Sequence, residues 1–308
     1  MRLVRCIFLL MVLALMPAAV PATGTVIGVV LSSDLPRYRE AHRHLLKVLS
    51  AKGYTSSSEI LLQTPNPDPQ SWSNAVRKLA AYRAGLIVAY GAPAVATAVQ
   101  EGGGIPVLAV DAVLPEGIPV QGLCGISSRV PMVTLQRVLQ ESRHPRAVGV
   151  LYSSRDVGSL RQLEELRRAA RQGGYTLQEG NVASAAALDK TLAALLERCD
   201  ALIVTEGGLI SRQFERIVAR ARQARVPVAT TMPDGAERGA LVALEVSPAE
   251  QGEVAGRMAV RLLEGARPEQ VGVESPRRVE LVVNLRVAKS LDIAVPFQVL
   301  GMATRVIK

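Results

Sequence analysis

The chain has 308 residues, 49% of them hydrophobic, 20% charged and 3% aromatic, a balance that excludes a disordered chain, a collagen-like fibre and a coiled-coil rod. Its length predicts two globular units, and three cysteines are too few for a disulfide-dense mini-protein. The formal charge is +9, but the 36 Lys and Arg are interspersed with 27 Asp and Glu rather than gathered into a basic run, so nucleic acid is not an expected partner.

Arg2 and Arg5 precede an uncharged apolar run from Cys6 to Met16, which is followed by the small residues and prolines of PAAVPAT. This is the pattern of a secretory signal peptide, residues 1–22, cleaved after Ala22 to leave a mature chain from Thr23. The run is too short for a membrane span of about 20 residues. Cys6 stands at the start of that run, not after it where a lipid-acceptor cysteine belongs, and Cys124 and Cys199 are expected to be buried free thiols.

From Thr25 onward, short apolar runs alternate with segments of helical period, the signature of repeated βα units and a parallel sheet. In chain order the predicted strands are Val26 to Leu31, Glu59 to Gln63, Leu86 to Tyr90, Pro106 to Val110 and Leu123 to Ser127. A second series runs Ala147 to Tyr152, Thr176 to Gly180, Ala201 to Thr205, Pro227 to Thr231 and Leu241 to Val246. Near-continuous apolar composition suits strands covered on both faces. Between them, Ala41, Leu45 and Leu49, or Phe214, Ile217, Val218 and Ala221, recur at the spacing that lays one helix face on a sheet.

The two series repeat each other. Gly28-Val29 with Ser32-Ser33 returns as Gly149-Val150 with Ser153-Ser154, Gly53-Tyr54-Thr55 as Gly174-Tyr175-Thr176, and Pro106-Val107 as Pro227-Val228, each 121 residues on (28 to 149, 53 to 174, 106 to 227). LIVAYG at Leu86 returns as LIVTEG at Leu202. The expected fold is therefore α/β: two similar doubly wound parallel-sheet lobes joined by a multi-strand hinge. Lobe 1 is assigned residues 23–129 with 248–280, and lobe 2 residues 130–247 with 281–308. Hinge crossings are expected near Ser128 to Val130, Val246 to Pro248 and Arg278 to Asn284, with a helix-rich return to lobe 2 from Asn284 to Lys308.

Open parallel sheets bind ligands beyond the carboxyl ends of their strands, where helix N-termini offer unpaired N–H groups. Two facing lobes thus form a cleft, and the residues just past the strands are its expected lining: Ser32, Ser33, Tyr90, Gly91 and Asp111 on one wall, Tyr152, Ser153, Ser154, Glu206, Gly207 and Asp234 on the other. The repeat makes Tyr90 and Glu206 equivalent, so they are expected to face the ligand from opposite sides. Serines at strand ends also serve as helix caps.

No catalytic constellation is legible. His42 and His44 lie two apart on a helix and His144 stands in a loop, all expected to be solvated, so no metal site is expected. There is no phosphate-binding glycine loop, dinucleotide fingerprint or serine elbow. Binding without turnover, with no cofactor, is the expectation.

GAPA (Gly91 to Ala94), GISS (Gly125 to Ser128), HPRAVGVLY (His144 to Tyr152), DALIV (Asp200 to Val204), VPVATT (Val226 to Thr231), RGALVAL (Arg238 to Leu244) and VNLRVAKSLDIAVP (Val283 to Pro296) together resemble the periplasmic substrate-binding proteins of ABC transporters with the type I two-lobe fold, in the branch typified by tryptophan- and other amino-acid-binding components. The resemblance covers nearly all of the mature chain. It implies a periplasmic monomer that closes on a small-molecule ligand and presents the closed form to a membrane permease. Relatives often carry Thr at the position of Ala92, Asp-Pro near Ala112 to Leu114, Asp-Asn at Glu206-Gly207 and tyrosines among Ser247 to Glu250; this chain departs at each, which weakens the implied amino-acid specificity. With Tyr90 and Tyr152 the only rings expected at the cleft, a small polar or zwitterionic ligand is favoured. The competing readings are a periplasmic sensing module for a receptor or kinase, a repressor core, which would need a DNA-binding segment where the signal peptide stands, and an enzyme.

Overall fold

The structure is a computed structural model, described here for residues 26–54, 60–114 and 121–308. The expected signal peptide and the start of the second predicted strand, Glu59, lie outside those residues.

The first lobe is built on β1 (Ile27–Leu31), β2 (Ile60–Gln63), β3 (Leu86–Tyr90), β4 (Val107–Ala112), β5 (Leu123–Ser127) and the late strand β11 (Val273–Glu274), in the order β11-β5-β4-β3-β1-β2. All of its pairings are parallel. The second uses β6 (Ala147–Tyr152), β7 (Thr176–Asn181), β8 (Ala201–Val204), β9 (Val228–Thr230), β10 (Val242–Glu245), β12 (Glu280–Asn284) and β13 (Arg305–Ile307), ordered β13-β12-β10-β9-β8-β6-β7. Here β10 and β12 form the one antiparallel pairing among the described residues, so β12 and β13, parallel to each other, run against the other strands. The α/β two-lobe architecture read from the sequence is the one observed.

Helices cover both faces of each sheet, and their apolar stripes explain the placement. In α1 (Pro36–Ala51), Ala41, Leu45 and Leu49 are fully buried, each four residues after the last, so one stripe lies on the sheet. Helices α2 (Pro69–Ala81) and α3 (Ala92–Glu101) complete the early part of this lobe. The second lobe adds α4 (Met132–Arg143), α5 (Val157–Gly173), α6 (Leu188–Leu196), α7 (Gly208–Arg212) and α8 (Phe214–Gln223). Among the described residues, no helix is long and apolar enough to cross a membrane.

The internal repeat has a packing cause. A side chain at Gly28 would meet Leu79 of α2 at 3.0 Å, and one at Gly149 would meet the Cys199 sulfur at 2.8 Å, so in each lobe the first strand admits a close neighbour only because it carries glycine. The echoed Gly53 and Gly174 both hold positive φ, 89° and 66°, where a helix ends and the chain turns back. Cys124 and Cys199 are buried free thiols, as expected.

The chain leaves the first sheet after β5 for α4, and leaves the second after β10 for α9 (Pro248–Leu263). Helix α9 packs on α1 so closely that a β-carbon at Gly252 would collide with the Ala41 carbonyl oxygen, and one at Gly256 would stand 2.6 Å from Val48. Because the obstacle at Gly252 is backbone, Gly252→Val is expected to force the two helices apart and lower stability by about 3 kcal/mol, read as a reduced urea midpoint. Beyond α9 come α10 (Pro268–Val271) and β11, and the chain then returns to the second sheet through β12, α11 (Leu285–Ser290), α12 (Phe297–Met302) and β13. Glu280–Asn284, expected as part of a crossing, is therefore a strand, and the terminal segment ends in a strand rather than in helix alone. Edge pairing with neighbours already in place stabilises these pieces, and that is not visible in a three-residue run such as Arg305–Ile307.

Candidate functional site

The strand ends of the two lobes meet around one side chain that the sequence reading did not single out. Arg37 sits in the first turn of α1, one helical repeat before Ala41, and is 8% exposed. Its Nε donates to Asp111 Oδ2 at 2.6 Å, its Nη2 donates to Asp111 Oδ1, and its Nη1 donates to Glu206 Oε2 at 3.1 Å. Asp111 is the penultimate residue of β4 in the first lobe, while Glu206 follows β8 of the second, so one guanidinium ties the two lobes together.

Each acid is fixed from behind by a buried glutamine. Gln251 of α9 accepts from the Asp111 backbone N–H at 3.1 Å and donates to the Ser127 carbonyl at 3.1 Å, which holds Asp111 at a positive φ of 50°. Gln162 of α5 accepts from the Glu206 N–H at 2.9 Å and donates to Thr231 Oγ1 at 3.0 Å. A third acid, Asp156, caps α5 by accepting from the Gly158 and Ser159 N–H groups at 2.9 and 3.1 Å.

These groups have left water. Burial works against the charge of Arg37, but Asp111 and Glu206 more than offset it and hold the guanidinium protonated. Burial pushes the Glu206 carboxyl up to about 7 against the pull of Arg37, with Asp111 and Asp156 adding repulsion. Burial also raises Asp156, although three backbone N–H groups stabilise its ionised form. Asp111, Glu206 and Asp156 face the Arg37 guanidinium, with Arg161 acting on Asp156 as well, so carboxyls still outnumber guanidiniums at the centre of the cleft and favour a further cationic group.

The lobes also touch around this centre. The Arg161 guanidinium of α5 donates to the Val113 carbonyl, and Arg129, at the crossing after β5, donates to Glu165 at 2.7 Å. A β-carbon at Gly208, which opens α7, would lie 3.0 Å from the Ser33 hydroxyl and 3.5 Å from Pro67. Ser33 is fully buried and its Oγ has no hydrogen-bond partner.

Of the residues expected to line the cleft, Ser33, Asp111 and Glu206 meet here, with Gly207 beside Asp156. Tyr90 is a correction. Its ring is fully buried in the first lobe's core and its hydroxyl lies 3.1 Å from His42 Nδ1, so Arg37, not Tyr90, faces Glu206. His42, expected in solvent, is buried for the same reason, and its pKa falls to about 4.

Ser32 turns inward too, donating to the Tyr90 carbonyl at 2.5 Å and accepting from the Ala94 N–H, a role in joining β1 to the start of α3. Gly91 packs under it, because any β-carbon there would strike the Tyr38 and Ser32 hydroxyls. Tyr152 packs on the second lobe's core. Ser153 is buried beneath the Ser159 hydroxyl, and Ser154 is tied to Asn181 at the end of β7. Asp234 is exposed and groups with Glu237 and Glu245 rather than with Arg37.

Arg37 did leave a signal. It continues the spacing of Ala41, Leu45 and Leu49 backwards by four, so it is a charge on a buried stripe, and such a charge needs buried partners.

Two α/β lobes joined by three crossings, with buried charges converging where strand ends and helix N-termini of both lobes meet, define a two-lobed solute-binding protein. The chain belongs to the ABC transporter substrate binding protein family, whose family model matches residues 27–307. A tyrosine-binding protein from Clostridioides difficile (strain R20291) is 23% identical over 277 residues, 86% of this chain and 80% of that protein. Among solved structures, an ABC domain in complex with L-Trp from Streptococcus pneumonia matches with a TM-score of 0.84 at 23% identity, over 92% of this chain and 100% of that one. The ligand-free, open structure of an adhesive substrate binding protein from Clostridium difficile matches with a TM-score of 0.64 at 21% identity, over 92% and 99%. The chain thus binds a small-molecule substrate between two lobes, as the family resemblance implied.

Proposed function

We propose that the ligand is a small zwitterion of amino-acid type, bound by Arg37 and Glu206 in place of the ion pair they make with each other, and that the exported, loaded protein delivers it to a membrane permease without chemical turnover. The observation that carries this reading is the ion pair joining the lobes, which sets a guanidinium and a carboxylate 3.1 Å apart in a buried cleft. A ligand carboxylate suits Arg37, and a ligand ammonium suits Glu206 with Asp156, where acids outnumber cations. The partnerless hydroxyl of Ser33 adds one more group that a polar ligand can satisfy. Relatives that bind tyrosine and tryptophan support an amino acid as the class, while the absence of the expected Tyr90 ring from the cleft supports a small polar one.

The test is thermal unfolding of the mature chain, from Thr23, against amino acids, small peptides, nucleosides and organic anions. An amino acid at a hundredfold excess over its dissociation constant is expected to add about 2.7 kcal/mol, and the gain should vanish in Glu206→Ala. Stabilisation by organic anions or nucleosides alone would defeat the zwitterion assignment.

A further inference from the structure

Away from the cleft, the second lobe gathers carboxylates that the binding of solute does not use. Asp234 and Glu237 belong to the loop between β9 and β10, and Glu245 is the last residue of β10, immediately before the crossing to α9. One carboxylate oxygen from each lies within 4.8 Å of the other two. Glu280 stands opposite Glu245 in the pairing of β10 with β12 and adds a fourth acid to the neighbourhood.

The cation facing them is Arg305 of β13, whose guanidinium donates to Glu237 and lies 3.7 Å from Glu245 Oε2. Glu245 is the unusual member. It is 7% exposed, and its Oε1 is buried with no hydrogen-bond partner. A buried carboxylate oxygen without a partner is costly unless something not made of protein satisfies it.

The dimensions and chemistry select the class of ligand. Hard divalent cations take oxygen donors, and two oxygens held at roughly 2.4 Å by one calcium ion can stand no further apart than about 4.8 Å. Three carboxylates against one guanidinium leave an excess of negative charge that a divalent ion offsets. Among the described residues no imidazole or thiolate joins the group, which argues against a softer transition metal.

We propose that Asp234, Glu237 and Glu245 form a binding site for one calcium-type divalent cation beside the crossing from β10 to α9. Such an ion fastens the loop after β9 to the end of β10 and so stiffens the second lobe where the chain leaves it. It is independent of the ligand assigned to the cleft.

The experiment is calorimetric titration of the chelator-stripped mature protein with calcium chloride, together with thermal unfolding with and without the ion. Saturable binding of one equivalent and a rise in Tm are expected for the parent chain. Both should be lost in Glu245→Gln, which keeps the buried shape, and in Asp234→Asn, which alters only an exposed side chain. No saturable heat up to millimolar calcium would overturn the proposal, as would binding that survives in both variants.

Discussion

Replacing Arg37 by methionine is expected to lower the stability of the protein by about 3–5 kcal/mol, the usual loss when one partner is removed from a buried ion pair. The cause is less the loss of attraction than what is left behind. Asp111 is 1% exposed and Glu206 9%, so both would keep their burial and lose their only guanidinium. The urea midpoint reads the effect. The double variant Arg37→Met with Asp111→Leu should recover part of the loss, because exchanging both members of a buried pair for apolar groups is often close to neutral. A single variant within 1 kcal/mol of the parent, or a double variant worse than the single, would count against this account of the site.

Replacing Glu206 by glutamine should have the opposite effect on stability and remove binding. In the folded chain the Glu206 carboxyl sits at about 7 instead of the ordinary 4.5, so between those values the folded state holds a proton that the unfolded state has released. Stability from this group is therefore present at low pH and lost as the pH rises through 4.5 to 7, by about 3 kcal/mol at ~1.4 kcal/mol per pH unit. Glutamine keeps an oxygen acceptor for Arg37 without that loss. Glu206→Gln is expected to exceed the parent by about 1–3 kcal/mol at pH 8 and to match it near pH 4.5. His42 works the other way: burial lowers it to about 4, so its contribution is lost as the pH falls from 6.5 towards 4. Glu245, raised to about 7 by burial, follows Glu206 in sign. Both groups are common to parent and variant, so the difference between the two curves isolates Glu206. A variant less stable than the parent at pH 8 would show that the Arg37 attraction outweighs burial. In either case the amino-acid-dependent rise in Tm should disappear, because the ligand ammonium would lose its carboxylate. A more stable protein that no longer binds is the expected signature of a site whose charge is kept for its ligand.

How much of this was legible in the residues can be followed element by element. Strands β3, β5 and β6 begin and end where their apolar runs do, because a strand covered on both faces has no polar positions to blur its limits. Strand β12 has an apolar centre, Leu281 to Val283, between Glu280 and Asn284, and its antiparallel place beside β10 depends on where the chain returns after α9. Tyr90 was misplaced for a reason available in the alternation of side chains. It shares a strand face with Leu86 and Val88, both in the core against α1 and α9, whereas Ile87 and Ala89 point to the other side. The repeat aligned Tyr90 with Glu206 one residue out of step: Ile27 pairs with Leu86 as Val148, 121 residues on, pairs with Ala201, so the backbone counterpart of Tyr90 is Thr205 and that of Glu206 is Gly91.

Periodicity and repetition by themselves determined two α/β lobes, the first ten strands, the echoed glycines of the repeat and a cleft at the strand ends. These follow from local sterics and from burial, which a run of residues records directly. Which charges meet in that cleft was decided only by the tertiary structure. Arg37 reaches Asp111 across 74 residues and Glu206 across 169, and glutamines from two other helices hold the acids in place. No local pattern encodes such meetings, because Coulomb attraction and burial depend on distance through space, and distance along the chain says nothing about it.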